Sequence, residues 1–408
     1  MVDTSGWQLR RLLAAPHRLC FFAGALMFAL SAVWWAAVLL VGSVTWQVPS
    51  GGAHGWLMSG GFMPMFFAGF LFTAGPRWLQ RPPVSAHSLR VPVALHLAGW
   101  GLFMAGCHLS ALAAATGMAL AATGYGLVSW RFGRMLRASQ ATDTLHARLL
   151  LAACAMGSGL LLTAAAGLAA GRPQVAQAAL HASLWAGNAL TFVSAVHRML
   201  PFFGDAAPDA WVPEGMLRLL VAAVLVQALL AATELLGWPL PRALVGLQAL
   251  GEAALAGLLL QLAWRSRRRP SPSLRLLAML HLGFTWLGLA FALGAVSHAM
   301  RWWGDAVGLG LAPVHALAAG FMGSTLFAMV GRVSAGHSGR TVAADALLWR
   351  LFWLLQLAVA GRVIAALWEA AAGVLLPAAA LAWATAATAW ALRYGRWYGT
   401  PLANGRGD

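Results

Sequence analysis

The sequence predicts an all-α polytopic membrane protein, on three observations. Hydrophobic residues make up 61% of the 408 positions and charged residues only 9%, against about 25% charged in an ordinary soluble domain. Mean hydropathy is +0.73. The apolar residues gather in runs near 20 residues long, the length a bilayer-crossing helix needs. The same numbers exclude a soluble globular domain, a disordered chain and a disulfide scaffold.

Twelve spans follow, at 19–41, 53–75, 91–109, 112–131, 146–170, 176–199, 216–237, 242–264, 274–300, 309–332, 346–367 and 371–394. They form one transmembrane domain over 1–408, with no soluble insert. Span 1 follows Arg10, Arg11 and Arg18. It is too long for a secretory leader and has no small-residue cleavage site, so it reads as an uncleaved first helix. Spans 3 and 4 are the closest pair, with only Ser110 to Gly117 to hold their turn. Gly and Ala throughout suit close helix packing in lipid.

The chain carries 27 basic residues, all arginine, against 11 acidic, for a net charge of +16. Their distribution orients each span in turn. Arg77, Arg81 and Arg90 lie between spans 2 and 3, and Arg131, Arg134, Arg137 and Arg148 between 4 and 5. Arg198 and Arg218 flank the loop after span 6, and Arg265, Arg267, Arg268, Arg269 and Arg275 the loop after span 8. Arg332, Arg340 and Arg350 follow span 10, and Arg393, Arg396 and Arg406 end the chain. Only Arg172, Arg242, Arg301 and Arg362 fall on the other side. Both termini are therefore expected in the cytoplasm. The basic excess reads as the inner face of the cytoplasmic membrane beside anionic lipid, not as a nucleic-acid surface. Cys20, Cys107 and Cys154 form no CxxC, which argues against a disulfide framework or a cysteine-based metal site. No P-loop, dinucleotide-binding or zincin motif is present.

Titratable groups at membrane depth mark function. The chain has 12 His against 11 acids. His54, His108, His181, His298 and His315 fall near the outer ends of their spans, and His96, His197 and His281 toward the inner side. His337 lies just past the inner end of span 10, roughly 30 Å from His315. His17, His87 and His146 fall in inner loops and read as surface residues. Imidazole suits haem iron or copper, and the scarcity of acids disfavours a hard cation. Spans 2, 6 and 10 each carry an outer-end His: His54, His181 and His315. Spans 6 and 10 echo each other, with Thr191 and Val196 matched at the same offsets by Thr325 and Val330. This repeat predicts three four-helix arcs about an axis, and the topology resembles the catalytic subunit of haem–copper oxidases. On span 2, His54, Met58, Gly61 and Met65 share one stripe at helical spacing, with Gly61 open to a flat macrocycle. His315 and Met322 do so on span 10, and His181, Asn188 and Thr191 form a polar stripe that must face protein. Arg362 and Arg301 are placed to pair with haem propionates.

Four stretches carry a family resemblance. Ala53 to Leu57, leading to Ala68 through Trp78, is similar to "WHAHEMLFG…AGFLLTAVPNW". His197 to Phe203 is similar to "GGRIIPFFT", and Leu280 to Phe284 to "LHLGY". His315-Ala316-Leu317 with Arg332 through Arg340 resembles "HAL…TRASLGHTGR". These are motifs of the NnrS family. The resemblance implies a twelve-helix membrane protein containing haem b and copper, associated with the bacterial response to nitric oxide or iron–nitrosyl species. It implies site roles for His54, His281, His315, His337 and Arg340. Gly51, Gly52 and Gly55 depart from the family's Trp, first His and Glu. The full candidate set is His54, His181, His281, His315 and Arg362 for a cofactor, and His54, His181, His298, His315 and His337 for metal. Whether the protein is an enzyme is left open by the sequence. The alternative readings are a multi-pass transporter and a cofactorless partner or assembly subunit of a respiratory complex.

Overall fold

A computed structural model describes residues 6–42, 45–199, 214–266 and 275–403. Among the described residues the chain is helical, with no strand. The helices are α1 (Pro16–Val41), α2 (Ser50–Trp78), α3 (Arg90–Leu109), α4 (Ala111–Arg137), α5 (Leu145–Ala169), α6 (173–199), α7 (Glu214–Leu235), α8 (Arg242–Ser266), α9 (Arg275–Trp303), α10 (Ala312–His337), α11 (Ala346–Leu367) and α12 (Glu369–Tyr398). Each expected span thus has its helix. Eleven of them are long and apolar enough to cross a membrane. The helix outside that set is α6, which carries Gln174, Gln177, His181, Ser183, Asn188, Thr191 and Ser194.

The α3–α4 turn is a single residue. Ser110 leaves the helical conformation, and its hydroxyl accepts the Ala113 N–H as a cap. Two helices joined so tightly must run face to face, and small residues allow it. A Cβ on Gly99 would strike the Ala121 nitrogen, and one on Gly106 the Ala114 nitrogen.

Three helices four apart in the chain hold the centre. In α2 and α10, 78% of the apolar stretch is buried, against 22% in α12. In α6 nearly every side chain from Ala182 to Val196 is buried. Each of the three is interrupted by a π-helical segment: Leu57–Gly61, Ser183–Ala189 and Ala316–Gly323. The π segments of α2 and α6 touch, as do those of α6 and α10. A π turn bonds i to i+5 and frees carbonyls from the regular ladder, so partners are needed. Asn188 of α6 donates its amide to the Ser59 carbonyl at 3.0 Å, and His96 Nε2 lies 2.9 Å from the Gly61 carbonyl. The polar stripe expected on α6 therefore does face protein, and Asn188 and Thr191 are both buried.

Both described chain ends meet at one end of the bundle. α1 packs along α12, and the Gln8 N–H donates to the Gly399 carbonyl at 2.8 Å. The Ala403 N–H donates to Ser338 at 2.9 Å, which draws in the end of α10. The three cysteines are buried and unpaired in disulfides.

Candidate functional site

At the end of the bundle away from the termini, α1, α2, α6, α10, α11 and α12 enclose a cavity of about 310 Å³. That lies in the size range of small-molecule sites, which run from about 300 Å³ upward. His54, His181, His315 and Arg362 all stand on its wall. Four candidates from four different helices are thus brought together. Each of the three histidines lies just ahead of the π segment of its helix, and π segments are frequent at functional sites.

His54 and His315 face each other. Their ring centroids are 6.4 Å apart and their planes differ by 11°. His54 also stacks on Trp35 of α1, with centroids 4.1 Å apart at 25°, which fixes its plane. Its Nδ1 is buried with no hydrogen-bond partner. On His315, Nδ1 lies 2.9 Å from the Leu311 carbonyl, one turn back. A carbonyl only accepts, so Nδ1 carries the proton and Nε2 keeps its lone pair. That is the arrangement usual for a metal-ligating imidazole. The Gln177 amide nitrogen lies 3.3 Å from His181 Nε2, so the amide donates to that ring nitrogen.

These residues fit a haem. The two rings lie near one another on one wall with nearly parallel planes. His315 Nε2 keeps its lone pair and His54 Nδ1 has no hydrogen-bond partner, so each ring offers a donor of the kind haem iron takes. Gly51, Gly55 and Gly323 leave parts of the wall without side chains. At Gly55 a Cβ would come within 2.7 Å of Leu180. Arg362 supplies a cation for carboxylates, and most of the remaining wall is apolar. Among the described residues no three His, Cys, Asp or Glu side chains gather to hold an ion. A haem brings four nitrogen donors of its own, so two imidazoles suffice.

The other candidates lie elsewhere. His281 is half-buried on α9, off the cavity wall. His298 Nδ1 is 2.7 Å from Glu252 of α8, whose other carboxylate oxygen accepts from Gln227. His337 meets His17 ring to ring at the terminal end, with centroids 4.4 Å apart. Arg301, expected to be open to propionates, is held by both carboxylate oxygens of Glu234. His17, expected at the surface, is 6% exposed. His146, also expected there, hydrogen-bonds His197 at 2.9 Å. His87 is exposed as expected.

The helical stripes fare unevenly. Met58 lines the cavity beside His54, but Gly61, Met65 and Met322 do not. Gly61 instead faces Ser31 and Met27 of α1. The π segment between His54 and Gly61 adds a residue to the turn, which rotates everything after it off a 3.6-residue stripe. Sequence reasoning missed Trp35, Gln177 and Trp383 on the wall. Spacing within one helix carries no signal for walls contributed by others.

A family model described as NnrS protein matches residues 11–401. No curated protein matches the chain.

Proposed function

Because the chain belongs to the NnrS family, we propose that it is a haem-binding protein of the bacterial cytoplasmic membrane, acting in the response to nitric oxide. The observation that carries the haem is the parallel pair His54 and His315, 6.4 Å apart on the wall of one cavity. In this reading His54 and His315 would hold the haem iron and Arg362 would meet a haem carboxylate. His181 and Met58 stand on the same wall, but His181 Nε2 already accepts from Gln177, so they make a copper site only if that hydrogen bond is given up. The nitric oxide role follows the family resemblance. The chain crosses the membrane twelve times, α6 included, with both termini cytoplasmic and the cavity toward the outer side.

When bound, the haem supplies the redox and gas-binding chemistry. The protein's own part is to hold and tune it. The Leu311 carbonyl fixes the His315 tautomer, Trp35 fixes the plane of His54, and the apolar wall keeps water from the imidazoles. A transporter reading has one observation in its favour, the buried Glu252 at membrane depth. Among the described residues no three His, Cys, Asp or Glu side chains gather around it to hold an ion.

The test is an optical spectrum of protein purified from haem-sufficient cells. A Soret band with six-coordinate, low-spin features is expected. His54→Ala and His315→Ala should each shift it to a five-coordinate form or abolish it. A colourless wild-type protein sinks the proposal, and an unchanged spectrum in both variants removes these two residues as ligands.

A further inference from the structure

A second, smaller cavity of about 50 Å³ lies in the bundle. Its walls come chiefly from the same three central helices. Phe66 and Phe67 of α2, Thr191 and Ala195 of α6, and Leu326 and Val330 of α10 line it, and all six are buried. Phe21 of α1 also borders it. On each central helix these positions lie just beyond those that line the large cavity: Met63 precedes Phe66, Leu184 precedes Thr191, and Gly323 precedes Leu326. At 1.5 Å per residue the small cavity is about 5–10 Å deeper along the bundle.

Its chemistry is uniform. The exposed lining is wholly apolar. The one polar side chain, Thr191, donates its hydroxyl to the Gly187 carbonyl at 2.8 Å. A buried water needs two to four polar partners, and none is offered, whereas apolar cavities stay dry and accept xenon or small apolar molecules. One water-sized probe occupies about 10–15 Å³ on this measure, so 50 Å³ admits a molecule of a few heavy atoms.

We propose that this cavity is a binding site for small apolar gas molecules of one or two heavy atoms, held beneath the large cavity on the bundle's centre. Gas affinity here depends on shape and polarity alone. Neither the haem nor the family enters that affinity, so this site and the haem reading can fail separately.

The probe is xenon, applied under pressure to the purified full-length protein and located by anomalous scattering in crystals. Xenon is expected between Phe66, Ala195 and Leu326 whether or not haem is present. Ala195→Leu fills the space and should abolish that peak, while Val330→Ala enlarges it and should raise occupancy. If Ala195→Leu does not fold, Val330→Ala decides: occupancy that fails to rise overturns the proposal. Xenon found only elsewhere in wild-type protein overturns it too. So does an acyl chain or ordered water filling the cavity.

Discussion

Glu252 is 6% exposed in the middle of α8, and its two oxygens are taken by His298 and Gln227. Gln248 extends the chain by donating to Gln227 at 2.9 Å. A buried charge is tolerated only when paired and hydrogen-bonded. Removing the shared acceptor leaves the half-buried His298 and buried Gln227 donors without a partner, at about 1–3 kcal/mol for each unsatisfied group. Glu252→Ala should therefore lower the thermal midpoint in detergent strongly, and Glu252→Gln much less, since the amide still accepts. Equal midpoints for the two variants would contradict the pairing. Asp345, outside the spans, shows a pH-dependent case. Partial burial pushes its carboxyl up, but Arg393, whose Nη2 is 2.6 Å away, and the Leu348 N–H outweigh that. The carboxyl is held below the usual carboxylate range. A lowered folded value means stability that is present above the unfolded value, about 3.9, and lost as pH falls through the folded one. Asp345 is half-exposed, so the contribution is at most about 1 kcal/mol. The midpoint difference between wild type and Asp345→Asn should stay level from pH 7 to pH 5 and vanish on further acidification. At this scale the sequence showed which residues could do chemistry. It did not show that His17 meets His337, because 319 intervening residues separate partners joined only by the fold.

Helix existence was legible in the apolar runs, and helix interiors were not. An apolar stretch reads the same whether its turns bond i to i+4 or i to i+5. The three π segments became visible only in the tertiary structure, where side chains from α6 and α3 meet the carbonyls freed in α2. Asn188 is the clearest such partner, reaching from α6 to Ser59 in the π segment of α2. Asn188→Leu should destabilise by about 1–3 kcal/mol, the penalty of a buried carbonyl left unbonded. It should also disturb any chromophore held by His54, one turn from Ser59. A thermal midpoint equal to wild type would show the contact to be idle. The α3–α4 hairpin makes the opposite case, since its close approach was foreshadowed by the short turn and the glycines. Gly99→Ala places a methyl against the α4 backbone, and overpacking of this kind costs about 1–3 kcal/mol. The expected result is a lowered midpoint, checked by intrinsic tryptophan fluorescence on heating.

For the whole molecule, arginine placement predicts orientation and packing predicts which helices are central. A reporter that fluoresces only in the cytoplasm should be bright on both the N- and C-terminal fusions. A dark reporter at either end would overturn the assigned topology. The structure agrees to this extent: both described ends lie together, with α1 against α12. What the sequence by itself determined was the solvent. Apolar content and run length compel a helical bundle in lipid, because a backbone without water must bond within its own helix. Tertiary structure alone decided which histidines face one another. Helices α2 and α10 are more than 200 residues apart in the chain, and no periodicity within either sets the rotation of one against the other. That rotation is set by packing of small residues, by the extra residue in each π turn, and by side chains such as Asn188. Together they leave His54 and His315 parallel across a cavity.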